Sequence, residues 1–228
     1  MQLSVIIPCL NEAHQIAELL ESLQPLRSHG AEIIVVDGGS ADATLAIART
    51  RADRAIAAAR GRAAQMNAGA AAATGDVLLF LHADTRLPDD ADALIAGGLA
   101  QTQRIWGRFD VRIAGTHPML RVIAAVMNAR SRWTGIATGD QAMFATRAAF
   151  DGAGRYADIP LMEDIALSKG LKRLGAPLCL RARVTTSGRR WEQHGVLRTM
   201  ALMWRLRLAY ALGADPRQLA TRYVSHVR

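Results

Sequence analysis

Cysteine is nearly missing from this chain: Cys9 and Cys179 are the only two, they stand far apart, and neither falls in a metal-binding spacing. That disfavours a disulfide framework and fits two reduced thiols in a cytoplasmic protein. Aromatic residues make up only 5% of the chain, and no nucleic-acid-binding motif accompanies the arginines, so no nucleic-acid partner is expected. Every long apolar stretch is interrupted by Arg well before the roughly 20 residues that a membrane-spanning helix needs. The opening MQLSVIIPCLNE lacks a basic leader ahead of its short apolar run and reads as a strand rather than a signal peptide. Pro-, Gly- or Ser-rich linkers are lacking as well, so residues 1–228 are expected to form one domain around one core.

The charge that is present is unevenly placed. Acidic and basic side chains balance through Leu180, whereas residues 181–228 hold ten Arg against Glu192 and Asp215, the whole net charge of +8. Two readings stand side by side: this segment faces something anionic, or it is a solvated surface in a chain where Arg replaces nearly all Lys.

Three strand-like runs, SVIIPCL, EIIVVD and DVLLFL, are apolar throughout, and each ends abruptly in polar residues before a loop or a helical pattern. After the first, Ile16, Leu19, Leu20 and Leu23 recur at helical spacing; after the second, Ser40 or Asp42 is expected to cap a helix through Ala48. Strands that read apolar on both faces and alternate with helices predict an α/β, Rossmann-like, mostly parallel sheet with helices on both faces. Ligands of such sheets bind beyond the carboxyl ends of the strands. Asn11-Glu12, Asp37-Gly38-Gly39-Ser40 and His82-Ala83-Asp84 would then gather along one edge. Further along, WGRFDVRI reads as a half-buried strand, HPMLRVIAAVMNARSRW as a helix and GDQAMFATRAAF as a short strand and turn. MEDIALSKGLKRLG reads as a helix stopped by Gly175.

Several of these residues can carry chemistry. Arg60, Gly61 and Arg62 open an Ala-rich helix, where free amides and two guanidinium groups suit a pyrophosphate. His82 and Asp84 flank Ala83 at the end of a strand, and alternation sends them the same way, so together they can hold a divalent cation such as Mg²⁺ or Mn²⁺ on a diphosphate. Alternatively Asp84 caps a turn with His82 packed beside it. Asp37 with Gly38 and Gly39 can bind a base or ribose, or form only a strand-to-helix turn. Glu163 and Asp164 open a helix after an extended, Pro-containing stretch; a carboxylate there can take a proton from an acceptor hydroxyl, or can simply favour the helix dipole.

The order of SVIIPCLNE, IIVVDGGSADAT, GRAAQMNAG, LLFLHADTRLP, GDQAMF and MEDIALSKGLKRLG resembles the family 2 glycosyltransferases of GT-A fold, over nearly all of the chain through about Gly175. Within that family the chain resembles a branch of small bacterial members, one of them linked to arsenosugar biosynthesis, that carry HADTRLP and an Arg-Gly-Arg segment. The resemblance implies transfer of a sugar from a nucleotide-diphospho-sugar to an acceptor, small or lipid-linked, with metal assistance and inversion of the anomeric centre. It places Pro8, Leu10, Asn11 and Glu12 along the nucleotide, Asp37 near its base and Arg62 near the base or phosphates, with Gln65 and Asn67 of GRAAQMNAG counted among the donor-binding residues. It makes Asp84 the metal-binding end of an Asp-X-Asp motif and Asp164 the catalytic base. Two departures stand out: His82 replaces the first Asp of that motif, which favours softer cations, and Gly38 replaces the second of two paired aspartates after the second strand. The implied organisation is a nucleotide-sugar-binding half over 1–100, an acceptor and catalytic half over 101–180, and a basic helical extension over 181–228. A sugar nucleotidyltransferase would want a basic Gly-rich loop after the first strand, and CLNEAHQ has neither Gly nor Lys; a non-catalytic nucleotide-sugar-binding protein would tolerate loss of Asp84 or Asp164, and both are present.

In the C-terminal segment, a helical wheel of VLRTMALMWRLRLAYALG puts Leu197, Met200, Ala201, Trp204, Leu208 and Ala211 on one face, with Leu206 and Tyr210 on the other. Such a helix can lie on the inner membrane face with its Arg residues on phosphates, or pack against a second subunit in a homodimer. Arg189 and Arg190, just before it, can close over the donor phosphates.

Overall fold

The computed structural model describes residues 1–227, with side chains for residues 1–223. Its strands are β1 (Leu3–Cys9), β2 (Glu32–Asp37), β3 (Arg54–Ala57), β4 (Val77–Phe80), β5 (Thr85–Arg86), β6 (Trp106–Ala114), β7 (Phe144–Thr146) and β8 (Leu178–Ser187). Its helices are α1 (Ala13–Ser22), α2 (Gln24–Ser28), α3 (Thr44–Arg51), α4 (Arg62–Ala72), α5 (Ala91–Thr102), α6 (Met119–Thr134), α7 (Arg147–Gly152), α8 (Glu163–Leu174), α9 (Arg189–His194), α10 (Val196–Ala211) and α11 (Pro216–Val227). No helix among the described residues is long and apolar enough to cross a membrane.

The strands form one sheet in the order β3-β2-β1-β4-β7-β6-β8-β5. The parallel pairings are β1 with β2, β1 with β4, β2 with β3 and β6 with β8. The antiparallel ones are β4 with β7, β6 with β7 and β5 with β8. The sheet is thus parallel through the half that carries the three apolar runs and mixed beyond it.

Side-chain alternation explains why those runs are apolar on both faces. Val5 and Ile7 of β1, with Val35 and Leu79, point into a core layer roofed by α1, α5 and α6. Ile6, Ile34, Val36, Leu78 and Phe80 point the other way, into a layer roofed by α4, α7 and α8. Gly69 lets α4 sit this close: a Cβ there would come within 2.4 Å of Ile6 Cγ2. A third, smaller cluster joins Leu161, Met162 and Ile165 at the start of α8 to Leu206 of α10 and Leu219 of α11.

The structure departs from the sequence expectation in places. Strands β3, β5 and β8 and helices α2 and α5 appear where no element was expected, and the helical extension holds α9 and α11 beside α10. Helix α3 begins at Thr44 and runs to Arg51, with Ala43 at its N-cap position. Asp42 still serves that end, its Oδ1 accepting the Thr44 N–H at 3.0 Å. Strand β4 ends at Phe80, so His82-Ala83-Asp84 lies in a turn closed by a hydrogen bond from Thr85 N–H to His82 O (3.1 Å). The argument from strand alternation therefore does not hold for His82 and Asp84.

Candidate active site

The loops after β1 and β2 are stitched to each other. Asn11 N–H donates to Ser40 Oγ (2.8 Å), and Ala41 N–H donates to Asn11 Oδ1 (2.8 Å). Glu12 N–H donates to Thr44 Oγ1 (2.8 Å) and Ala13 N–H to Asp42 Oδ2 (3.1 Å), so the free amides opening α1 are capped from the neighbouring loop. Asn11 has φ 55°, a left-handed conformation that Asn tolerates better than most residues. Asp37 is buried, and its carboxylate accepts the N–H groups of Gly39 and Ser40 (both 3.0 Å) and the Ser40 hydroxyl. Gln65 Nε2 reaches from α4 to donate to the carbonyls of Cys9 and Val36, both at 2.8 Å. A Cβ at Gly38 would lie 3.0 Å from that amide, which gives the departure at Gly38 a packing reason. Asn67 makes a two-way clasp with the backbone of Tyr156 (2.8 and 3.1 Å).

Beyond these loops opens a cavity of about 340 Å³. It is lined by ten of the residues singled out in the sequence: Pro8, Glu12, Arg62, His82, Ala83, Asp84, Glu163, Asp164, Arg189 and Arg190. Leu10, Asn11, Asp37, Gly38, Gly39, Arg60, Gly61, Gln65 and Asn67 stand outside its lining. Several of these shape the rim through the bonds just described.

Glu12 and Asp84 are neighbouring carboxylates on the cavity wall. Burial, followed by the charge of Asp84, raises the pKa of Glu12, while Arg189 and Arg62 oppose the shift. His82 Nδ1 lies 3.3 Å from Asp140 Oδ1, and the Cε1–Nε2 edge of its ring lies over Gly139, where a Cβ would come within 2.4 Å. Nδ1 is thus engaged by Asp140, while the Nε2 edge packs against Gly139. Burial pulls the Asp140 carboxyl upward, but the hydrogen bond and charge of His82, with Arg62 and Arg190, bring it down to about 2. Among the described residues no group of three or more His, Cys, Asp or Glu is placed to hold a metal ion.

On the opposite wall, Met162 turns into α8 with φ 69°, an uncommon conformation for a residue with a side chain and a mark of imposed geometry. The turn delivers Glu163 and Asp164 to the cavity. Asp164 is fixed by two amides: Gly139 N–H to Oδ2 (3.0 Å) and Ile165 N–H to Oδ1 (2.7 Å). Glu163 is buried with Arg62 Nη1 at 3.8 Å. Burial and the charge of Asp164 raise its pKa, and Arg62 opposes this.

The basic extension forms the remaining wall. Arg189 lies 2.7 and 3.0 Å from the Gln15 amide oxygen when that amide is turned toward it. Arg190 bonds the Tyr223 hydroxyl and stacks over its ring, 5.6 Å from the centroid. Asp140, Arg207 and Tyr223 line the cavity too, and sequence reasoning missed all three. Asp140 was part of GDQAMF, whose resemblance to family members pointed at this segment without singling out the carboxylate. Helix α10 settles its two apolar sides: Leu206 and Tyr210 pack onto the start of α8, while Leu197, Trp204 and Leu208 are 60–64% exposed.

A sheet of this order, with helices on both faces and a charged cavity beyond the carboxyl ends of its parallel strands, defines a GT-A type α/β fold. Comparison agrees. S. aureus TarS 1–349, solved in complex with UDP-GlcNAc, superposes with a TM-score of 0.66 at 18% identity over 82% of this chain and 58% of that one. Glucosyl-3-phosphoglycerate synthase from Mycobacterium tuberculosis, in complex with Mn²⁺, UDP and glucosyl-3-phosphoglycerate, gives 0.60 at 21% identity over 81% and 70%. The succinoglycan biosynthesis protein ExoA of Rhizobium meliloti (strain 1021) is 37% identical over 111 residues, which is 42% of this chain and 32% of ExoA. The chain thus matches about a third of ExoA and under two thirds of TarS. The family model described as "Glycosyl transferase family 2" matches residues 4–153, and the chain belongs to that family of glycosyltransferases.

Proposed function

We propose that the cavity binds a nucleotide-diphospho-sugar and that Asp164 acts as general base for transfer of the sugar to an acceptor hydroxyl. The observation that carries this reading is the convergence on one cavity of Arg62, Arg189, Asp84, Glu12 and Asp164, which come from five separate parts of the chain. The complexes of TarS with UDP-GlcNAc and of the mycobacterial synthase with Mn²⁺ and UDP support it.

In this reading Arg62 and Arg189 hold the diphosphate oxygens, and Asn11, Asp37 and Gln65 keep the loops at the base end in shape. Asp84 with Glu12 would hold a divalent cation: two carboxylates in mutual repulsion are hard oxygen donors, and Mg²⁺ or Mn²⁺ needs only one or two of them when substrate phosphates complete its shell. Bound there, the cation would neutralise charge on the leaving diphosphate. His82 serves instead as the partner of Asp140. The acceptor oxygen attacks the anomeric carbon as its proton passes to Asp164 and the bond to the diphosphate oxygen breaks; one displacement inverts that centre. The two amides on Asp164 fix its carboxylate for this step.

The test is a panel of UDP- and GDP-sugars with Mg²⁺ or Mn²⁺, reading released nucleoside diphosphate and the melting temperature. At least one nucleotide is expected to raise the melting temperature in a cation-dependent way. Acceptor-dependent release that survives Asp164→Asn would remove the base assignment, and a protein stabilised by no nucleotide would remove the donor reading.

A further inference from the structure

Several arginines elsewhere in this molecule find partners. Arg147 donates to the carbonyls of Ala70, Ala73 and Gly75. Arg108, fully buried, pairs with Asp110 and donates to Asn128 O, leaving only its Nε unbonded. Arg132 reaches Asp110 at 3.1 Å. Orphaned donors also occur beside the cavity. Among the described residues, Nε and Nη2 of Arg130 and Nε of Arg207 are buried without a hydrogen-bond partner. The two residues come from different helices, α6 and α10, and their guanidinium groups repel each other. Burial, followed by the charge of Arg207, lowers Arg130 to about 10, and the carboxylate that offsets this is Asp164. Arg207 lines the same cavity as Asp164.

Buried guanidinium donors without acceptors are rare, because they lose hydration and gain nothing in return. Two of them brought together beside one carboxylate leave a local excess of positive charge. A phosphate or carboxylate is what such a pair of forks is shaped to accept. We propose that Arg130 and Arg207 form an anion subsite next to Asp164, so that the acceptor carries a phosphate or carboxylate close to the hydroxyl that receives the sugar. The inference rests on the transfer reading above and names its acceptor class. A neutral polyol would leave both guanidinium groups uncompensated. The oxyanion can belong to a small soluble acceptor or to a lipid headgroup, since both present the same chemistry to the pair.

The experiment first measures UDP and GDP binding in the presence of Mn²⁺, which judges the transfer reading by itself; if GDP is the one that binds, it takes the place of UDP in every later step. Glycerol 3-phosphate, neutral glycerol and vesicles of phosphatidylglycerol are then titrated into the protein, with UDP and Mn²⁺ saturating so that the donor diphosphate site is filled, and again without nucleotide. Binding of glycerol 3-phosphate or of the vesicles, with glycerol at least tenfold weaker, is expected, and which of the two binds identifies the source of the anion. Arg207→Met and Arg130→Met should each weaken that binding at least tenfold while UDP affinity stays within twofold, and Arg207→Lys, which keeps the charge, should retain part of it. Anionic probes that bind no better than glycerol to the unmodified protein overturn the subsite whether or not the variants fold. So does a double Arg130→Met, Arg207→Met protein that binds them as the unmodified protein does. Should neither UDP nor GDP bind, the donor reading falls and the titrations without nucleotide still decide the arginine pair.

Discussion

The two ends of the cavity are built on opposite principles. At the β1 and β2 loops, the side chains of Asn11, Asp37, Gln65 and Asn67 all find partners within the chain, so the shape of that rim needs no ligand. Near Asp164, on α6 and α10, Arg130 and Arg207 keep buried donors that no described residue accepts. Satisfied polar groups hold geometry; the unsatisfied ones are what the proposed subsite offers to a bound anion.

The largest effect that would sharpen this contrast lies between the two ends. Asp164→Asn is expected to lower the transfer rate by roughly 10²–10⁴-fold with nucleotide affinity unchanged, measured by turnover and by calorimetric titration; a matching loss of nucleotide affinity would place Asp164 in the donor rim instead. Next, Asp84→Asn should weaken nucleotide binding by about tenfold or more when Mg²⁺ or Mn²⁺ is present and hardly at all without it. Equal losses in both conditions would deny Asp84 its cation. Gln65→Ala tests the self-sufficient rim: removing the donor that ties Cys9 O and Val36 O should cost about 1–3 kcal/mol in denaturant unfolding, and an unchanged midpoint would show that the rim holds without it.

The smallest effect concerns Asp140. Its carboxyl sits at about 2, below the usual value of about 3.9, so its stabilising contribution is complete above the usual value and is lost as pH falls through about 2. Because the Asp140 side chain is 45% exposed, the contribution should be under about 1 kcal/mol. Melts of the unmodified protein and Asp140→Asn should differ by a constant amount from about pH 5 upward and converge as the pH drops; a gap that widens in acid would contradict this.

Much of the frame was legible because β1, β2 and β4 are buried on both faces, and burial on both faces writes an uninterrupted apolar run. Strand β8 was not, since LCLRARVTTS sets Arg181 and Arg183 among its apolar residues and exposes them at the surface. Strands β3 and β5, four and two residues long, are too short to carry a period. In the site, the rule that ligands gather beyond strand ends anticipated Glu12 and Asp84 on one edge, and the family resemblance added Arg62 and Asp164, which line the same cavity. Asp37 and Gln65, counted among the donor-binding residues, also spend their side chains on hydrogen bonds within the loops, which the sequence could not show. Arg130 and Arg207 were invisible for a related reason: on a helical wheel they are two more polar positions, and only tertiary packing reveals that their donors are buried and unmatched. The wheel of α10 likewise offered two apolar sides, and the cluster at the start of α8 chose between them.

The four bonds that lace the β1 loop to the β2 loop carry a consequence for engineering. Residues 11–13 and 40–44 are one part made from two pieces of chain, so a chimera that imports only one of them from a relative with different nucleotide preference inherits severed laces and a collapsed rim. The two pieces are best exchanged together.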